Sequence, residues 1–239
     1  RVHPGSDLIR MRGSRVAWNW LAALVCGVSL CCLSACRAAR LPDLAPEEII
    51  RRSVDVMVAL PGFHFVVDRS GAPAYLNEEK TLIFRRAEGD FVSPDQAWAV
   101  VRIIAPGMVT EIKILGLGDR YWETNPLSGV WAELPGGMGF NPAVLFDPEL
   151  GFQPMLESDL YDLTLVGLAE LEESPGVELV HLSGKLHGER IFQMSDAMIG
   201  PENMEVQLWV HPETFELHRV RIVASSPGEA EPVIWQMDF

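Results

Sequence analysis

The chain has 239 residues, with 19 Lys+Arg against 33 Asp+Glu and a formal net charge of −14. That balance excludes nucleic acid as a partner, because phosphate binding needs a basic face that releases counterions. Hydrophobic residues at 48% against 22% charged describe a chain that folds, and the length allows one or two domains.

In chain order, the first feature is a leader. Val16 to Ala35 carries no charge and lies between Arg12 and Arg15 on one side and Arg37 and Arg40 on the other. Basic residues, an apolar run and then small residues are the order of a secretory signal, with Met11 as the expected true start. A run of that length also spans a bilayer, so a permanent membrane helix is the competing reading. The end of the run decides between them. Leu33-Ser34-Ala35-Cys36 resembles a bacterial lipobox, which implies that residues 1–35 are a lipoprotein signal peptide cut before Cys36. The resemblance also implies a diacylglycerol on the Cys36 sulfur and fatty acyl groups such as palmitate as the anchor. Each buried methylene contributes roughly 0.8 kcal/mol, and two or more chains hold a protein on a membrane stably. The expected location is therefore the cell envelope, exported and tethered to the outer face of the cell membrane. Cys26, Cys31, Cys32 and Cys36 are the only cysteines, so the chain beyond them has no disulfide framework and no thiolate zinc site.

Residues 36–45 read as a lipidated N-terminus and linker, and 46–239 as a single domain. From Pro46 to Leu60 the pattern is helical, with Pro46 in the first turn, Glu47 and Glu48 at the positive end of the dipole, and Ile50, Val54, Met57 and Val58 on one face. Pro61-Gly62 ends it. Short β-branched and aromatic segments follow: Phe63 to Val67, Thr81 to Arg86, Ala97 to Ile104, Met108 to Leu115 and Asp119 to Thr124. After a proline-rich interval come Tyr161 to Leu171, Val177 to Leu186, Glu205 to His211, Glu216 to Ala224 and Val233 to Phe239. Links such as Pro106-Gly107 and Gly116 to Gly118 are too short for parallel crossovers, so the strands pair antiparallel. Asn125 to Ser158, with Gly136-Gly137-Met138-Gly139 inside it, predicts a mobile, partly helical loop across one sheet face, with short helices at Asn141 to Phe146 and Gln153 to Glu157.

Catalytic and metal-binding patterns do not emerge. His181 with His187 and His211 with His218 are the candidate metal pairs, but six residues along one strand span about 20 Å, too far for one ion. Glu47-Glu48, Glu78-Glu79 and Glu172-Glu173 sit at a helix start and in turns, where solvated charge is expected. There is no phosphate loop, nucleophile elbow, His-Glu-x-x-His helix or EF-hand loop. The expectation is a protein that is not an enzyme and has no metal and no cofactor beyond the acyl anchor. Ala97 to Ile104 carries one charge, Arg102, and Val206 to Val210 one polar residue, Gln207. A sheet packed on one face alone alternates more cleanly, so these strands border either a second core layer or a cavity for something oily.

Ala87-Glu88-Gly89-Asp90-Phe91-Val92-Ser93-Pro94-Asp95, then Tyr121 followed by Asn125-Pro126-Leu127-Ser128-Gly129-Val130-Trp131, resemble the LppX/LprA/LprF/LprG envelope lipoproteins. Phe146-Asp147-Pro148-Glu149-Leu150-Gly151 and Leu208-Trp209-Val210 are similar to further segments of that family. Read by turn chemistry alone, Gly89-Asp90 permits a tight turn, and Asn125-Pro126 with Ser128-Gly129 brings Tyr121 and Trp131 into neighbouring strands. The resemblance implies an α+β, mostly antiparallel β fold: a curved half-barrel with helices on its concave face around an apolar cavity, similar to LolA and LolB. It implies a carrier that binds acylated lipids or glycolipids and transports or presents them, with a lipid exporter or another envelope protein as partner. The residues expected to line the cavity, opposite Arg85, Arg102, Lys113, Gln207 and Arg219, are Leu82, Phe84, Val101, Ile103, Ile112, Ile114, Val206, Leu208, Val220 and Ile222. The alternatives are a surface scaffold or adhesion lipoprotein with a solid core, and a LolB-like lipoprotein-localisation factor.

Overall fold

A computed structural model describes residues 40–76, 79–135, 142–195, 197–225 and 231–239. Met11, the leader, the lipobox with Cys36, Glu78 and the segment 136–141 lie outside the described residues. The first element is helix α1 (Pro46–Ala59), which opens with Pro46 in its first turn and Glu47 and Glu48 at its start. It buries Ile49, Ile50, Ser53 and Val54. Val58, expected on that face, is 55% exposed. The buried stripe is centred one residue earlier than the spacing predicts, because Ile49 and Ile50 both reach the sheet.

Eleven strands follow, and all of them join one antiparallel sheet. The first meander is β1 (Gly62–Gly71), β2 (Ile83–Val92), β3 (Gln96–Ala105), β4 (Met108–Leu117), β5 (Arg120–Thr124) and β6 (Trp131–Leu134). The second is β7 (Leu160–Leu171), β8 (Ser174–Leu186), β9 (Met204–Val210), β10 (Leu217–Ala224) and β11 (Val233–Asp238). The strand order, β6-β5-β4-β3-β2-β1-β11-β10-β9-β8-β7, joins the two meanders at the centre through β1 and β11. Val67 pairs with Met237 and Arg69 with Trp235 across that seam. The fold class is the α+β, mainly antiparallel arrangement that the sequence predicts.

The helical layer covers the concave side. A 3₁₀ turn (Pro142–Phe146) packs on β3 and β4, whereas α1 packs on β7 and β10. Between them run α2 (Phe152–Pro154), a π turn (Met155–Asp159) that α1 also touches, and α3 (Gly188–Met194). Burial alternates along the strands as a sheet filled on one face requires: Ala97, Ala99, Val101 and Ile103 are buried on β3, and Val206, Leu208 and Val210 on β9. The apolar residues on the other face of β3 do not form a second core layer, since Trp98 is 40% and Ile104 36% exposed. On β9 the outer Trp209 does pack, stacking on His181 at 4.5 Å beside Leu171 and Leu179.

Two sequence expectations are corrected. Gly89-Asp90 is not a turn or strand end, because β2 runs through it to Val92 and Gly89 pairs with Ala99 in mid-sheet. Glycine stands there because a Cβ would lie 1.9 Å from the Trp98 carbonyl oxygen. The stretch expected as a loop after Asn125 contains β6, and α3 lies where no helix pattern was legible. The Asn125-Pro126 turn does place Tyr121 and Trp131 on neighbouring strands. Asn125 Oδ1 accepts from the backbone N–H groups of Leu127 and Ser128, both at 3.0 Å, and Thr124 pairs with Trp131.

Gly89→Val is expected to destabilise the protein by at least about 2 kcal/mol in urea denaturation, since overpacking against backbone cannot relax by rotamer change. Gly107→Ala, at a hairpin where nothing lies within 4 Å but φ is +78°, is expected to cost only about 1 kcal/mol.

Candidate functional site

Between the sheet and the helical layer lies an apolar cavity of about 330 Å³. Its floor comes from the seam and the first meander: Phe65 and Val67 of β1, Ala87 of β2, Ala99 of β3, and Trp235 and Met237 of β11. Its roof comes from Leu145, Phe152, Ile191, Met194, Met198 and Ile199.

Of the ten residues expected to line it, Leu82, Phe84, Val101, Ile112, Ile114, Val220 and Ile222 do so. Ile103, Val206 and Leu208 are instead fully buried members of the solid core. For the two on β9 the reason is the position of α1, which packs on β7 and β10 and closes that flank of the concave face. Ala87 also lines the cavity, out of step with Leu82 and Phe84. The register shift between Phe84 and Arg86 turns both Arg85 and Arg86 outward, so the inward series resumes at Ala87. The β1 and β11 residues carried a readable signal, alternation in Val233-Ile234-Trp235-Gln236-Met237, but nothing local told that these strands meet.

The roof is held at two points. Phe146 inserts among aromatic rings, with centroids 4.2 Å from Phe91, 5.0 Å from Phe63 and 5.7 Å from Phe65. Offset and edge contacts of this kind contribute about 0.5–1.5 kcal/mol each beyond burial. Immediately after it, Asp147 Oδ1 accepts from the N–H groups of Glu149 (2.8 Å) and Leu150 (2.9 Å), and Gly151 N–H donates to the Asp147 carbonyl at 2.8 Å. A Cβ on Gly151 would lie 2.5 Å from the Leu145 oxygen, so this Asp-Pro-x-x-Gly turn needs its glycine. At the second point, Arg190 of α3 donates to Asp159 at 2.5 Å and to the Glu149 carbonyl at 2.6 Å, tying α3 to both ends of the crossing segment. A third contact shapes the wall beside the roof. The buried Arg69 guanidinium donates to the carbonyls of Phe84 (3.1 Å), Gly71 (3.2 Å) and Ala72, at the start of the segment that supplies Tyr75 and Leu76.

The lining is almost wholly apolar. Its charged member is Glu123 of β5, whose carboxylate accepts from the Tyr121 hydroxyl at 3.1 Å. Burial, then the neighbouring Glu123 charge, pushes the Tyr121 phenol well above its ordinary range, so it remains a neutral donor. Ser195 Oγ, also in the lining, accepts from the Ile199 N–H at 3.0 Å and turns the chain after α3.

The fold treats the two histidine pairs differently. His181 stacks on Trp209, and His187 stacks on Tyr161 at 4.4 Å. His211 and His218 do come together, at 6.2 Å between rings, because the β9–β10 hairpin folds them side by side; the argument from distance along one strand does not apply to them. Among the described residues no group of three potential ligands is present.

The family model described as LppX_LprAFG lipoprotein matches residues 45–239, from the start of α1 through the last strand. The chain belongs to this lipoprotein family. Two solved members share the fold of this LppX_LprAFG chain. LprF from Mycobacterium bovis superposes with a TM-score of 0.58 at 16% identity, covering 81% of this chain and 91% of that one. LppX from Mycobacterium tuberculosis gives 0.57 at 16% identity, covering 82% and 94%. A search of curated protein sequences found no match. No helix among the described residues is long and apolar enough to cross a membrane.

His181 and His218 are both held below the ordinary histidine range, in each case chiefly by burial, and His218 also by His211. A folded-state pKa that is depressed contributes stability above the unfolded value of 6.5 and loses it as pH falls toward the folded one. The carboxylates lowered by arginines, Glu48 and Glu133, act only below 4.5. Thermal midpoints measured between pH 7.5 and 5 are therefore expected to fall as the pH drops, and His218→Gln to flatten that slope.

Proposed function

We propose that this protein is a lipid-anchored envelope carrier that takes an acyl chain of a lipid or glycolipid into the cavity and transports or presents it. The observation that carries this reading is the apolar cavity itself, since about 330 Å³ lies within the range of roughly 300–1,000 Å³ used for ligands of drug size. Moving a chain of about 15 methylenes from bilayer to water costs on the order of 12 kcal/mol, and an apolar hollow offsets that cost. A solid-core scaffold or adhesion protein has no use for such a void, because each unfilled volume in a core forfeits packing contacts. Membership in a lipoprotein family supports the anchor, whose attachment point is Cys36, and supports a place on the outer face of the cell membrane. Protein partners such as an exporter are compatible with this role. The residues assigned to the ligand are the seven expected wall residues that line the cavity, with Ala87, Trp235 and Met237 added. No catalytic step is assigned to them.

Native mass spectrometry of the purified full chain is expected to find co-purifying acyl species. Ala87→Phe, which places a ring in the cavity, is expected to cut uptake of a fluorescent fatty alcohol at least about tenfold while costing about 1–3 kcal/mol of stability. A wild-type chain that is empty and takes up no lipid would overturn the carrier. Cys36→Ser is expected to abolish incorporation of labelled palmitate and to release the protein from the membrane fraction; retention without label would overturn the anchor.

A further inference from the structure

Glu123 is unusual among the cavity residues, because acyl burial gives no reason for a carboxylate in that wall. Tyr121 and Glu123 stand two residues apart on β5 and therefore face the same way. Tyr121 is only 5% exposed, and its hydroxyl is the one side-chain donor that Glu123 receives among the described residues. The cation closest in sequence is not available: Arg120 points to the other face, bound to Glu133 at 2.9 Å and lying 4.5 Å over the Trp122 ring. A carboxylate has about four acceptor positions, and Tyr121 fills one. Glu123 is half-buried at the cavity wall, so the rest are open to a donor of the ligand.

We propose that Glu123 and Tyr121 form a head-group subsite that accepts a hydrogen-bond donor of the lipid, a hydroxyl or an amine, and turns away phosphate and carboxylate heads. The inference rests on the cavity being the lipid site. Its chemistry is that of a fixed acceptor beside an apolar trough. The carboxylate receives the ligand's O–H or N–H and the Tyr121 O–H together, while the acyl chain runs along Ile112, Ile114 and Val101. An anionic head brought to the same point meets Glu123, which pairs with no cation among the described residues, and this repulsion supplies the discrimination. Tyr121 gives its single O–H to Glu123 and so fixes the carboxylate's orientation.

The test uses the purified full chain and one pyrene-labelled hexadecyl chain ending in an alcohol, an amine or a carboxylate. Wild type is expected to bind the alcohol and the amine at least about tenfold more tightly than the carboxylate, a margin of ~1.4 kcal/mol. Glu123→Gln is expected to remove most of that margin, mainly by gaining affinity for the carboxylate. Glu111→Gln, which removes the same charge beside Arg102 on the outer face, is expected to keep it, showing that the margin is not a property of net charge. Equal binding of all three probes by wild type would overturn the subsite and leave the carrier standing, as would a margin that Glu123→Gln leaves intact. Binding of none of them by wild type would overturn the carrier reading itself. Because the wild-type comparison decides without any variant, a folding defect in Glu123→Gln does not shelter the proposal.

Discussion

The pairing of β1 with β11 is the constraint on which the rest of the molecule depends. Each meander alone is a short sheet with an open edge, and an edge of unpaired N–H and C=O groups is both unstable and adhesive. Joining the first strand to the last makes one continuous sheet of eleven strands and leaves only β6 and β7 as edges. The join also brings Phe65, Val67, Trp235 and Met237 side by side, and these residues are the middle of the cavity floor. A contact between strands so far apart in the chain forms late and must be stabilised by what packs over it.

What packs over it is irregular structure, held by a few specific interactions. The Phe146 rings and the Arg190 contacts pin the crossing segment at separate points, and the span between them carries Phe152 over the hollow. The part of the roof made of a 3₁₀ turn and a three-residue helix has few internal hydrogen bonds to lose. The opposite flank is different in kind, since α1 seals β9 and leaves Val206 and Leu208 with no exposed surface. The concave face is thus divided between a solid half that supplies stability and a hollow half that can admit a guest.

That division gives the polar wall residues their meaning. Hydrocarbon burial is non-directional and roughly proportional to area, so an apolar hollow by itself holds any chain that fits. Selectivity has to come from the few groups with direction, and in this cavity Glu123 and Tyr121 are such groups. Both sit on β5, a short strand next to the β6 edge, where a side chain can reach the hollow while remaining close to solvent.

Much of the fold was legible because strand alternation and turn residues act over two to four positions. Most strands were legible to within four residues of their ends, though β2 runs six residues beyond its expected end and β6 had no legible pattern; five of the seven expected wall residues that line the cavity follow from inward parity on β3, β4 and β10, opposite a charged residue. Parity failed at the β2 register shift, where Ala87 was lost, and the reading of Gly89 as a turn failed because a glycine needed for close approach of two backbones looks the same in sequence as one needed for a bend. The sequence by itself determined most of the strand pattern, the helix at Pro46 and the family motifs, all of which depend on neighbours along the chain. Only the tertiary structure decided which strands meet at the seam, where the concave face is solid or hollow, and that Glu123 looks into the hollow, because those outcomes depend on groups brought together from opposite ends of the chain.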